Sequence, residues 1–155
     1  MSPLWTKKSL LILEHKSATR DLLISELVRA GFDPVCVDTG EQALALIRER
    51  RDSLVGLMTA VDAPGPLNGW MLGTEFQLRD PVRPVIYFTS QRAHLSRALP
   101  CSAVVRRPYS ALGVLAVLGH LCSVATPFGS GQPLQSNARW SRSGAKPRKS
   151  SRRAG

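Results

Sequence analysis

The sequence predicts an α/β chain: a doubly wound, five-stranded parallel sheet with helices on both faces, followed by a disordered C-terminal tail. Two observations carry this. Five short apolar or β-branched runs, at 10–13, 34–37, 54–59, 84–88 and 103–105, alternate with segments whose apolar residues recur at helical spacing. Strands that read as continuous apolar runs belong to parallel sheets buried on both faces. Beyond Ala125 the character changes. Residues 126–155 are rich in Ser, Gly, Pro and Arg, with scarcely any aliphatic side chains and no acid, so they cannot bury enough surface to offset the entropy of ordering. The chain divides into a lead over 1–8, a folded domain over 9–123 and a tail over 124–155.

Each helix has its own signals. The first enters at Ser17 as N-cap, turns Leu23, Leu27 and Val28 to the core and stops at Gly31. The second opens with Thr39 and Gln42 at capping-box spacing and buries Ala43, Leu46 and Ile47. A third spans Trp70 to Leu78, a short fourth Gln91 to Ala98, and a fifth Ser110 to Cys122. The connections are only a few residues long, as a compact doubly wound domain requires.

With 155 residues and 43% hydrophobic content the chain supports one packed core. Its net charge of +10 is unevenly placed: residues 1–80 carry 9 Lys or Arg and 11 Asp or Glu, whereas 81–155 carry 12 Lys or Arg and no acid. That asymmetry marks a basic tail on a near-neutral domain. Cys36, Cys101 and Cys122 match neither a zinc site nor a disulfide framework and read as buried cytoplasmic thiols. No apolar run approaches the ~20 residues that span a bilayer, and Leu10 to Leu13 lacks the cleavage site of a signal peptide. A soluble cytoplasmic protein is the expectation.

Ligand sites in open α/β sheets lie beyond the carboxyl ends of the strands. Here those positions are Glu14 and His15, Ala60 to Asp62, Thr89, and Arg106 to Pro108. The third apolar run leads directly into Ala60-Val-Asp-Ala-Pro-Gly-Pro-Leu-Asn-Gly-Trp70. An acid after the first strand, Pro-Gly and Asn-Gly turns after the third, a hydroxyl after the fourth and a basic residue before Pro after the fifth resemble, in that order, the receiver domain of two-component response regulators. The resemblance covers about residues 9–122.

It implies the flavodoxin-like receiver fold and a place in phosphorelay signalling. It also implies an acceptor Asp four residues before Pro64, a position occupied by Ala60, whose methyl group cannot form an acyl phosphate. Two acids after the first strand would hold magnesium; this chain has Glu14 and then His15, and imidazole is a poor substitute for carboxylate around that ion. Glu14 and Asp62 are the remaining metal-ligand candidates, so magnesium binding is expected to be weak or absent. The family's Lys-Pro pair appears as Arg107-Pro108, which keeps the charge without the compact ammonium. Thr89 matches the switch hydroxyl, but Val104 stands where its aromatic relay partner would be. The Arg107 guanidinium is expected to pair with Glu14 and take the place of the metal.

Each residue also has a plainer reading. Glu14 and His15 are then polar residues at a strand end, Arg107-Pro108 an ordinary turn, and Thr89 a helix cap; their occurrence in register favours the resemblance. Asp62, two residues past Ala60, is an alternative acceptor, though displaced along the chain by ~7 Å. His94 and His120 are assigned no chemistry. With no GxGxxG, P-loop or Ser-His-Asp order, no enzyme is indicated.

Three functions follow. The first is a stand-alone pseudo-receiver that contacts a histidine kinase, phosphotransferase or other regulator without being phosphorylated. The second is a residual phospho-receiver using Asp62. The third is a polyanion or nucleic-acid binder acting through the seven Lys or Arg between Arg139 and Arg153, with Trp140 among them; the same run also suits a merely solvating tail. The fifth helix, 110–122, is apolar around more of its circumference than a surface helix needs. It offers a partner or homodimer surface, unless the tail covers it or its small residues leave little exposed area.

Overall fold

The computed structural model describes residues 8–78, 80–92 and 100–125. Five strands, β1 (Lys8–Leu13), β2 (Phe32–Cys36), β3 (Leu54–Ala60), β4 (Val85–Thr89) and β5 (Ser102–Arg106), form one sheet in the order β2-β1-β3-β4-β5. Every pairing is parallel, so each connection crosses over the sheet. The crossovers carry helices α1 (Ser17–Arg29), α2 (Gly40–Glu49) and α3 (Gly69–Gln77), and α4 (Ala111–Ala125) follows β5. Pro34 lies in β2, an edge strand, where a missing backbone donor is tolerated. The expected helix over Gln91 to Ala98, with His94, falls mostly in 93–99, outside the described residues; the basic run 139–153 lies outside them too.

Alternation along β1 splits the core into two layers. Leu11 and Leu13 join Ala43, Ile47, Leu72, Phe76 and Tyr87 beneath α2 and α3. Leu10 and Ile12 join Leu23, Leu27, Phe88, Val114 and Leu118 beneath α1 and α4. This two-sided burial is why the strands read as apolar runs.

Local chemistry sets the boundaries. Thr39 and Gln42 form the capping box of α2: the Thr39 hydroxyl accepts from the Gln42 N–H at 3.1 Å and the Gln42 side chain accepts from the Thr39 N–H at 3.3 Å. Asn68 caps α3 by accepting from the Met71 N–H at 3.0 Å. Gly31, with φ of 96°, supplies the left-handed residue that ends α1. The N-cap of α1 is Lys16 rather than Ser17, and its side chain makes no capping hydrogen bond.

Other expectations need correction. Val28 is exposed, because it sits one residue, or 100°, beyond the Leu23–Leu27 line that meets the sheet. Leu46 is only half-buried. The cysteines are not a buried set: Cys36, at the end of the edge strand, is exposed, and Cys101 and Cys122 are half-buried. β1 starts at Lys8, the last residue of the expected lead, and α4 continues to Ala125, two residues into the expected tail. The outward face of α4 holds Leu112, Gly113, Ala116 and His120, so one large apolar side chain stands there among small ones.

Candidate functional site

The carboxyl ends of β1, β3, β4 and β5 bring Glu14, Ala60, Thr89 and Arg107 to one pole of the sheet. Glu14 is fully buried. Its Oε1 accepts from Arg107 Nη2 at 2.8 Å and from the Lys16 N–H at 3.4 Å, while its Oε2 accepts from Arg107 Nε at 3.2 Å and from the Tyr109 hydroxyl at 2.8 Å. The guanidinium therefore grips the carboxylate with two nitrogens, the fork geometry that makes Arg the preferred partner for a buried acid. Only 8% of the Arg107 side chain is exposed. Its backbone N–H donates to the Thr89 carbonyl at 2.7 Å, and the Arg107–Pro108 peptide is cis.

Electrostatics follow the geometry. Burial opposes the Arg107 charge, but the hydrogen bond and negative charge of Glu14, helped by Asp62 and Tyr109, outweigh it and raise the guanidinium pKa. For Tyr109, burial comes first and the hydrogen bond and charge of Glu14 second; together they hold the phenol protonated far above its usual range, against a weaker pull from Arg107. The Tyr109 ring stacks on Phe88, with centroids 4.6 Å apart and planes 20° from parallel, which fixes the hydroxyl over Glu14.

Ala60 ends β3 with no exposed surface. The start of α3 packs directly against it: a Cβ on Gly69 would collide with the Ala60 carbonyl. Asp62 stands in the turn beyond, 63% exposed, with Oδ1 3.9 Å from Arg107 Nη1. Thr89 is buried, and its hydroxyl accepts from the Gln91 N–H at 3.0 Å. His15 is exposed, as is His120 on α4. Val104 is half-buried against the α2–α3 layer and does not join the polar cluster. Pro108 lines the cavity beside Arg107.

The site thus unites Glu14 with Arg107 across 93 residues of sequence. Sequence reasoning missed Tyr109, the third member. The available signal was an aromatic residue two positions past Arg107, next to a strand whose Phe88 faces the same layer. Among the described residues no group of three or more His, Cys, Asp or Glu stands close enough to hold a metal ion. A magnesium ion prefers oxygen ligands, and both oxygens of Glu14 are already committed to a guanidinium and a phenol.

No family model matches the sequence, and no curated protein is similar to it. Solved structures are. A response regulator receiver protein from Sinorhizobium medicae WSM419 superposes with a TM-score of 0.70 at 22% identity, over 79% of this chain and 99% of the other. This chain has the receiver fold. A Francisella response regulator receiver domain gives 0.63 at 17% identity, over 78% and 99% of the two chains. The receiver domain of a Pseudomonas aeruginosa PAO1 sensor histidine kinase, solved with magnesium coordinated in its active-site cleft, gives 0.61 at 16% identity over 74% and 97%. In receiver-fold terms, the pole just described lies at the carboxyl ends of the strands, where this architecture places its ligands.

Proposed function

We propose that this chain is a pseudo-receiver: a cytoplasmic signalling module that engages a histidine kinase, phosphotransferase or other regulator through protein–protein contacts, without taking up a phosphoryl group. The observation that carries this reading is the closed ion pair of Glu14 and Arg107 beside Ala60. A phosphoacceptor pocket needs a nucleophilic oxygen and free carboxylates for a divalent cation. Here Ala60 supplies a methyl group, and Arg107 supplies the positive charge that would otherwise come from a metal. Asp62 is a poor replacement acceptor, because it is largely exposed in the turn beyond the strand, and in-line phosphoryl transfer depends on positioning. Among the described residues no helix is long and apolar enough to cross a membrane.

The test is intact mass measurement of the full chain after incubation with acetyl phosphate and magnesium. No phosphoryl adduct is expected, and Ala60→Asp alone should give weak labelling at best, since Arg107 still occupies Glu14 and His15 still replaces an acid. Labelling of the parent that vanishes in Asp62→Asn would overturn the proposal in favour of the displaced acceptor. Millimolar magnesium should leave the melting temperature unchanged, since a bound ion would raise it by linkage.

A further inference from the structure

Helix α3 turns an uncharged face to solvent. At 100° per residue, Gly69, Leu72, Gly73 and Phe76 lie on one side and are buried, while Met71, Thr74 and Leu78 fall within about 60° of one another on the opposite side. Leu78 belongs to that line because, as C-cap, it keeps helical backbone angles, φ −58° and ψ −39°. Met71 is 47% exposed and Leu78 65%. A surface helix ordinarily carries charge on its outward side. The one charged residue of α3, Glu75, stands at the flank instead, with its carboxylate 3.6 Å from Arg48 Nε of α2. Thr74, between the two large side chains, donates its hydroxyl to the Trp70 carbonyl at 3.0 Å, so covering it strands no donor. The outward face of α4 differs, since Leu112 stands there alone among Gly113, Ala116 and His120.

We infer that this face of α3 binds a second copy of the chain, as an antiparallel helix pair about a two-fold axis passing between Thr74 and Glu75. In that register Met71 of each copy lies opposite Leu78 of the other. One surface thus makes two identical apolar contacts, about 10 Å apart along the helix. Thr74, the smallest of the three, sits at the crossing and lets the axes approach to the usual separation of about 8–10 Å. Antiparallel alignment also sets the two helix dipoles in opposition. The axis brings both Glu75 carboxylates to the same flank, but each is matched by its own Arg48, so no unpaired like charges meet there. The face therefore has no net charge to repel its copy, although the whole chain carries +10. With two large side chains from each copy the contact is smaller than the roughly 1,200 Å² of a standard interface, and pairing belongs to the weak class, with a dissociation constant of about 10 μM to 1 mM.

Analytical ultracentrifugation of the full chain reads the pairing, at about 0.15 M salt, where exposed charges are screened beyond about 8 Å. A reversible monomer–dimer equilibrium is expected. Met71→Glu and Leu78→Lys should each weaken it by about tenfold or more, because each sets a charge against an apolar side chain at both ends of the contact. Both positions are exposed and each new charge suits its end of the helix dipole, so the variants should melt as the parent does. Mixing the two should restore pairing to within about tenfold of the parent, since only the antiparallel register brings the introduced carboxylate onto the introduced amine. Leu112→Asp on α4 should leave the equilibrium unchanged. A chain that stays monomeric up to about 1 mM, a dimer that survives both α3 variants or is lost in Leu112→Asp, or a mixture that fails to pair would overturn the inference.

Discussion

Replacing Arg107 with Met keeps the length and volume of the side chain and removes its charge, leaving Glu14 fully buried with only the Tyr109 hydroxyl and a 3.4 Å contact from the Lys16 N–H. Breaking a buried pair by removing one partner costs about 3–5 kcal/mol, because the survivor is an uncompensated charge. The two remaining donors place this case at the lower end, about 3 kcal/mol, or a fall of roughly 10 °C in melting temperature for a domain of this size. A double-mutant cycle in urea with Glu14→Gln isolates the pair. The double variant should be more stable than Arg107→Met alone, with a coupling of about 2 kcal/mol. A cost below about 1 kcal/mol for Arg107→Met, or a coupling under about 0.5 kcal/mol, would show that Glu14 is solvated or satisfied without the guanidinium, and the argument for a built-in counter-ion would fail.

The raised pKa of Tyr109 has a definite sign: its contribution to stability is complete below the ordinary phenol value of about 10 and is lost as pH rises above it. In a Tyr87→Phe background, which leaves one of the two tyrosines, tyrosinate absorbance at 295 nm should appear only with unfolding; a reversible rise near pH 10 in the folded protein would refute this. Gly73→Ala should destabilise by about 1–3 kcal/mol in urea melts, because the new Cβ would overlap the Tyr87 hydroxyl, and Tyr87→Phe in the same chain should recover part of the loss. Ending the chain at Ala125 should leave the melting temperature unchanged and abolish retention on single-stranded nucleic acid at low salt, where the full chain's affinity should fall by about 0.7 log units per log unit of salt for each phosphate contacted. Equal retention of the shortened chain would remove the basic run from any role in polyanion binding.

The fold was legible because its signals are short in range. Apolar runs, the Thr39–Gln42 capping box and Gly31 each act within a few residues, and together they place β1 to β5 and α1 to α3 within a residue or two. Features that depend on how a helix is rotated against the sheet were not. Val28 looks as apolar as Leu27, yet 100° of helical twist turns it to solvent. Cys36 looks like a buried thiol, but strand order, which no local pattern encodes, makes β2 an edge. At the site, the pairing of Glu14 with Arg107 was legible only through resemblance, since the chain separates them by 93 residues. Tyr109 left only the signal of an aromatic two positions past Arg107, because its role depends on the Phe88 ring beneath it and on the position of Glu14, both set by tertiary packing.

The guanidinium that answers Glu14 is covalently part of the chain. A diffusible cation can be exchanged and a phosphoryl group can be hydrolysed, so a module that depends on either can be set and reset in place. A tethered counter-charge has an effective concentration that does not change with the medium. Its state is therefore inherited at synthesis and persists for the life of the molecule. Under the proposed reading, the signal such a protein conveys is its own abundance, and the erasing step is turnover of the polypeptide.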